Sequence, residues 1–148
     1  VVFLPSDMNA AYLYAQLNMA DEINNDRLKS WNRYYEELTP LAEKGLIELP
    51  YIPEECVHNA HMFYIKCKDF EERKGLIGYL TSNDILPASH YVPLHSSKAG
   101  VKYSIFSGED KYTTKESERL LRLPMYYKLS ESDQEEVIAR VKEYYKFN

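Results

Sequence analysis

The chain has 148 residues, 45% of them hydrophobic, and sets 18 Lys and Arg against 23 Asp and Glu for a net charge of −5. One domain is expected at this length, with a core able to hide roughly 68–70% of the surface that the unfolded chain exposes. Scattered basic residues argue against nucleic acid as a partner, Cys56 and Cys67 lie in no CxxC pattern, and no apolar run approaches the length of about 18 residues needed to span a membrane; reduced thiols and a cytoplasmic location are the expectation.

In chain order, residues 1–5 read as an extended lead-in, and Ser6 or Asp7 is placed to cap a helix. Ala10, Leu13, Leu17, Ala20, Ile23, Leu28, Trp31, Tyr35 and Leu38 then recur at spacings of three and four, predicting one long helix that ends at Thr39-Pro40. Trp31, Tyr34 and Tyr35 read as packing residues. Gly45 is a C-cap for a short helical turn, and residues 47–49 alternate as a brief peripheral strand closed by Pro50 and Pro53. Residues 60–67 form the best strand in the chain and are expected to lie centrally. Met62, Tyr64 and Lys66 fall on one face and Phe63, Ile65 and Cys67 on the other.

Asp69 is expected to cap a helix in which Phe70, Leu76, Ile77 and Leu80 cover the sheet, and residues 85–91 return as a strand. Residues 92–111, rich in turn formers, read as an irregular loop. Thr113 with Glu116 forms a capping box for a short helix. Residues 121–126 follow as an edge strand, with Pro124 stopping any helix that arrives there. Ser130 or Ser132 caps a terminal amphipathic helix carrying Val137, Ile138 and Val141. The layout is α+β: a small two-layer domain with a three- to four-stranded, mostly antiparallel sheet packed by helices. Residues 1–39 are the long leading helix and residues 40–148 the sheet domain.

Candidate chemistry is sparse. The histidines are His58, His61, His90 and His95, each read alone as a structural side chain, and His90 and His95 flank Tyr91-Val92-Pro93-Leu94. Such a pair could act as acid or base, ligate a metal, or donate to phosphate and hydroxyl groups. A metal site lacks the remaining ligands, and Cys56 near His58 has no activating motif. Arg119 and Arg122, three apart near a helix end, read as a solvated face. Five glycines supply neither a GxGxxG pattern nor a P-loop.

Four blocks occur in order: SDMNAAYLYAQL from Ser6, NAHMFYIK from Asn59, HYVPLH from His90, and TTKESERLLRLPMYYKLSESDQEEVI from Thr113. Together they resemble the DegT/DnrJ/EryC1/StrS family of sugar aminotransferases, across nearly the whole chain. The resemblance implies the C-terminal small domain of a fold-type I enzyme that uses pyridoxal phosphate. That enzyme would move an amino group, from glutamate, onto a 4-keto-6-deoxy sugar carried on dTDP, in surface polysaccharide synthesis. It further implies a homodimer, a long helix crossing between domains, and a substrate-side loop containing His90, Tyr91 and His95. No catalytic or cofactor-binding residue is carried over, because the family's large domain with its lysine precedes the matching region. This chain is therefore expected to bind no pyridoxal phosphate and to be inactive alone. A second reading is a free-standing, non-catalytic α+β module that binds a sugar nucleotide or a protein partner.

Overall fold

A computed structural model describes residues 4–147, so residues 1–3 of the expected lead-in lie outside the described residues. The helices are α1 (Asp7–Asn18), α2 (Ala20–Glu43), α3 (Phe70–Thr81), α4 (Lys98–Tyr103), α5 (Thr113–Arg119) and α6 (Glu131–Tyr144), and the strands are β1 (Phe63–Lys66), β2 (Ala88–Ser89) and β3 (Leu120–Leu123).

The leading helix is two helices. Met19, at φ −104° and ψ 4°, separates α1 from α2, and nothing in the local sequence explains the break. Ser6 caps α1 by accepting from the Asn9 amide, yet α1 has no buried residue: Met8, Tyr12 and Tyr14 are all exposed. The second helix does not stop at Thr39-Pro40 but runs through Pro40 to Glu43. Leu38 and Leu41, both fully buried, anchor that last turn, and the Thr39 hydroxyl donates to the Tyr35 carbonyl at 2.7 Å. Gly45 then closes α2 itself in place of a separate turn. At φ 69° it lets the Gly45 and Leu46 amides bond back to Ala42 and Leu41.

The sheet is antiparallel with strand order β1-β3-β2, pairing Phe63 with Leu123, Ile65 with Leu121 and Ala88 with Arg122. The central strand is therefore β3, which was expected at the edge, while β1 has only an isolated bridge from Glu48 to Lys66 on its other side. The face assignment along β1 holds: Phe63, Ile65 and Cys67 are buried, and Tyr64 and Lys66 only partly so. The returning strand shrinks to Ala88–Ser89, since Pro87 has no N–H to give and Tyr91 turns at φ 34°.

One core joins the two layers. Tyr34, Leu38 and Leu41 of α2 meet Phe63, Ile65 and Leu121 of the sheet, Leu76 and Leu80 of α3, and Ile138 and Val141 of α6. The Gln134 side-chain amide donates to the Ser30 carbonyl at 2.6 Å and ties α6 to α2 inside that core. Ser130 caps α6 by accepting from Asp133, and Asp69 caps α3 by accepting from Glu72.

Candidate functional site

The site is built on α5 and on the segment that follows β2. This segment is more ordered than a loop: a 3₁₀ turn (Leu94–Ser96) runs into α4, which Ser97 caps by accepting from Gly100 at 2.9 Å. A Cβ on residue 100 would lie 1.7 Å from the Leu94 carbonyl oxygen, so glycine is what lets α4 close onto the preceding turn.

The capping box does not form at α5. The Glu116 carboxylate turns to Lys66 of β1 at 2.6 Å, and Asp110 accepts from the Thr114 amide at 3.3 Å and from its hydroxyl. An ion pair with a half-buried lysine is stronger than a return bond to an exposed amide. Lys66 in turn draws the Glu116 carboxyl below its ordinary range. Arg119 is likewise no solvated face. Its Nε donates to the Cys67 carbonyl at 2.8 Å while its terminal nitrogens reach Glu116 and Glu48, which locks α5 against β1. Arg122 contacts the Ser89 carbonyl at 3.4 Å, across the β2–β3 pair.

Three pockets of about 260, 520 and 460 Å³ adjoin along this seam. The first holds His90, Tyr91 and Glu116; the second shares Tyr91 and Ser117 with it and adds Arg73 and Ser96; the third shares Phe70 and Thr114 with the second and ends at Asp110, Lys68 and Lys115. Together they make one open cleft, largely apolar in surface, in which the His90 imidazole, the hydroxyls of Ser117 and Thr114, cationic Arg73, Lys68 and Lys115, and the carboxylates of Asp69, Asp110, Glu116 and Glu118 supply the polar groups. A larger cavity of about 610 Å³ lies between Ile85, Tyr126 and Val137 and touches none of residues 90–95.

Of the three residues singled out from sequence, His90 and Tyr91 line the cleft side by side, ring centroids 4.9 Å apart and edge to face. The His90 Nδ1 is enclosed without a partner, and Tyr91 is 78% exposed. His95 lines none of these pockets directly. Its Nε2 lies 2.9 Å from Asp110 Oδ2 and 3.4 Å from the Thr114 hydroxyl, and its ring packs on Phe106 at 4.6 Å. His95 thus joins the cleft through Asp110 and Thr114, both of which do line it. Hydrogen bonds from Thr114, with the His95 ring beside them, hold the Asp110 carboxyl below its ordinary range. Asp110 and Thr114 escaped the sequence reading because one sits in a turn-like run and the other was hidden inside an apparent capping box.

No group of three or more His, Cys, Asp or Glu among the described residues is placed to hold a metal ion, and no helix there is long and apolar enough to cross a membrane. Pyridoxal phosphate requires a lysine whose amine is free of its proton. Lys66 and Lys142 are the least exposed lysines, and each lies 2.6 Å from a carboxylate, Glu116 and Glu37 respectively. Glu116 pushes Lys66 above its ordinary value, the opposite of what the cofactor needs. The remaining lysines are exposed. The described residues of this chain therefore do not fit that cofactor.

A three-stranded antiparallel sheet covered by helices on one side and entered by a long helical segment is the small-domain fold of a pyridoxal-phosphate aminotransferase. The chain belongs to the DegT/DnrJ/EryC1/StrS aminotransferase family, whose profile it matches over residues 5–142. It is 30% identical over 118 residues to the 3-oxo-glucose-6-phosphate:glutamate aminotransferase of Bacillus subtilis, covering 78% of this chain and 26% of the relative. A DegT DnrJ EryC1 StrS aminotransferase from Brucella abortus superposes with a TM-score of 0.76 at 27% identity, over 91% of this chain and 34% of that one. NtdA of Bacillus subtilis, solved with bound cofactor PMP, gives 0.70 at 26% identity over 84% and 28%. The chain spans about a third of the length of these relatives or less.

Proposed function

We propose that this chain is the C-terminal part of a pyridoxal-phosphate-dependent aminotransferase acting on a nucleotide-linked keto sugar, and that it forms the substrate-side wall of the site. The observation that carries the reading is the cleft along α5, where His90, Tyr91, Thr114 and Arg73 present donors and acceptors suited to a hydroxylated, phosphorylated ligand. Family membership supplies the reaction class. The motif blocks resemble those of dTDP-4-amino-4,6-dideoxygalactose transaminase, and on that resemblance we take a dTDP-4-keto-6-deoxy sugar as acceptor, glutamate as donor, and a homodimer working in surface polysaccharide synthesis in the cytoplasm. His90 and Tyr91 contact the sugar nucleotide from the cleft wall and His95 from its rim, beside Asp110 and Thr114; none of the three holds the cofactor.

Chemistry belongs to the cofactor, which the rest of a longer polypeptide would hold, because no lysine here is set to bind it. By itself the chain is inactive. Mixing it with pyridoxal phosphate, reducing with borohydride and mapping the product should give low, scattered modification over exposed lysines. One stoichiometric lysine, protected by a sugar nucleotide, would overturn this division of labour. In the natural-length polypeptide, His95→Ala should lower kcat/KM for the sugar nucleotide by about tenfold or more while thermal stability shifts little. A variant that loses stability and keeps normal kinetics would make His95 structural.

A further inference from the structure

We infer that Asp110 is a positioning residue that fixes the tautomer of His95, holding Nε2–H so that Nδ1 stays an open acceptor for a hydroxyl of the bound sugar. The inference rests on the substrate-side role proposed for His95.

Two contacts agree on the same proton position. Asp110 Oδ2, 2.9 Å from His95 Nε2, is a carboxylate oxygen that only accepts. Thr114 also lies within reach of Nε2, at 3.4 Å, and its hydroxyl proton is already given to Asp110, which leaves that oxygen as an acceptor. With two acceptors on one ring nitrogen, that nitrogen carries the hydrogen. The neutral imidazole then has its lone pair on Nδ1. Both contacts fall on Nε2, and neither engages Nδ1.

The arrangement is also held from behind. Asp110 accepts from the Thr114 backbone amide as well as from its hydroxyl, so the carboxylate is tied to the start of α5, and Phe106 packs on the imidazole at 4.6 Å. A ring fixed at Nε2 and packed on one side by the tilted Phe106 ring has little freedom to rotate, and its free edge keeps one chemical character, that of an acceptor. The other charged groups around this end of the cleft are Lys68, Asp69, Lys115, Glu118 and Arg119. Among these, Arg119 is engaged with Glu48 and Glu116. A carboxylate fixing the tautomer of an imidazole that touches a ligand commonly matters by 10- to 100-fold when removed (roughly, by analogy with the partners of metal-bound histidines).

Long-range nitrogen–proton correlation spectra of this chain read the tautomer directly. The expected result is His95 protonated at Nε2 when neutral, mixed tautomers in Asp110→Ala, and the wild-type tautomer restored in Asp110→Asn, whose side-chain oxygen still accepts. Unchanged signals from Leu121 and Leu123 report that β3 is intact in each variant. His95 protonated at Nδ1 in the unmodified chain would overturn the inference without touching the aminotransferase reading, and it needs no variant to fold. In the natural-length polypeptide, Asp110→Ala should lower kcat/KM for the sugar nucleotide about tenfold, with recovery in Asp110→Asn. If the tautomer behaves as expected but neither Asp110→Ala nor His95→Ala alters turnover, His95 does not contact substrate and the positioning role falls with it.

Discussion

Lys66 and Glu116 meet at 2.6 Å, and through that contact the strand β1 and the helix α5 are held in one frame. The pair is half-buried and is extended by Arg119, which reaches both Glu116 and Glu48. Because Lys66 lowers the Glu116 carboxyl from its ordinary range, the unfolded chain takes up the proton first as pH falls. The contribution of Glu116 to stability is therefore present above its unfolded value and is lost as pH drops through the folded one. Urea midpoints measured from about pH 7 down to about pH 3 should fall less steeply for Glu116→Gln than for the unmodified chain. Parallel curves would show that the pair is too well solvated to matter.

The Tyr34 hydroxyl donates to the Pro124 carbonyl at 2.8 Å from a fully buried ring, linking α2 to the chain just after β3. Replacing it by phenylalanine keeps the ring and strands a buried acceptor. Tyr34→Phe should cost about 1–2 kcal/mol in chemical denaturation. No change in midpoint would mean that water takes the place of the hydroxyl.

Burial pushes the Cys67 thiol up to about 11, helped by Glu72 and opposed by the hydrogen bond from Tyr145, whereas Cys56 is exposed. The thiolate is the reactive form, so at about pH 8 an alkylating reagent should label Cys56 in the folded chain and reach Cys67 only once denaturant is added. Equal labelling of both without denaturant would contradict the packing described for β1.

What the sequence disclosed was local. Ser6, Asp69 and Ser130 announce their helices because an N-cap depends on residues three positions away. The alternation of Phe63, Ile65 and Cys67 likewise needs only the period of a strand. What it concealed was pairing over long separations. The central place of β3 is decided by its two partners, since Leu120–Leu123 has no more strand character than residues 60–67. The helix α2 passes Pro40 because Leu38 and Leu41 are buried by elements far away in the chain. At the site, family resemblance drew attention to His90, Tyr91 and His95. The contact between His95 and Asp110 closes a fifteen-residue excursion that no spacing rule marks.

Nitrogen transfer to a keto sugar is the activity proposed for the natural-length polypeptide. The natural-length polypeptide carrying this chain, supplied with pyridoxal phosphate, ¹⁵N-glutamate and a dTDP-4-keto-6-deoxy sugar, is expected to place the label on the sugar, as read by mass spectrometry, and His95→Ala should slow that transfer by about tenfold or more. Absence of label from every keto-sugar nucleotide offered, with the cofactor bound and the protein folded, would contradict the proposed function.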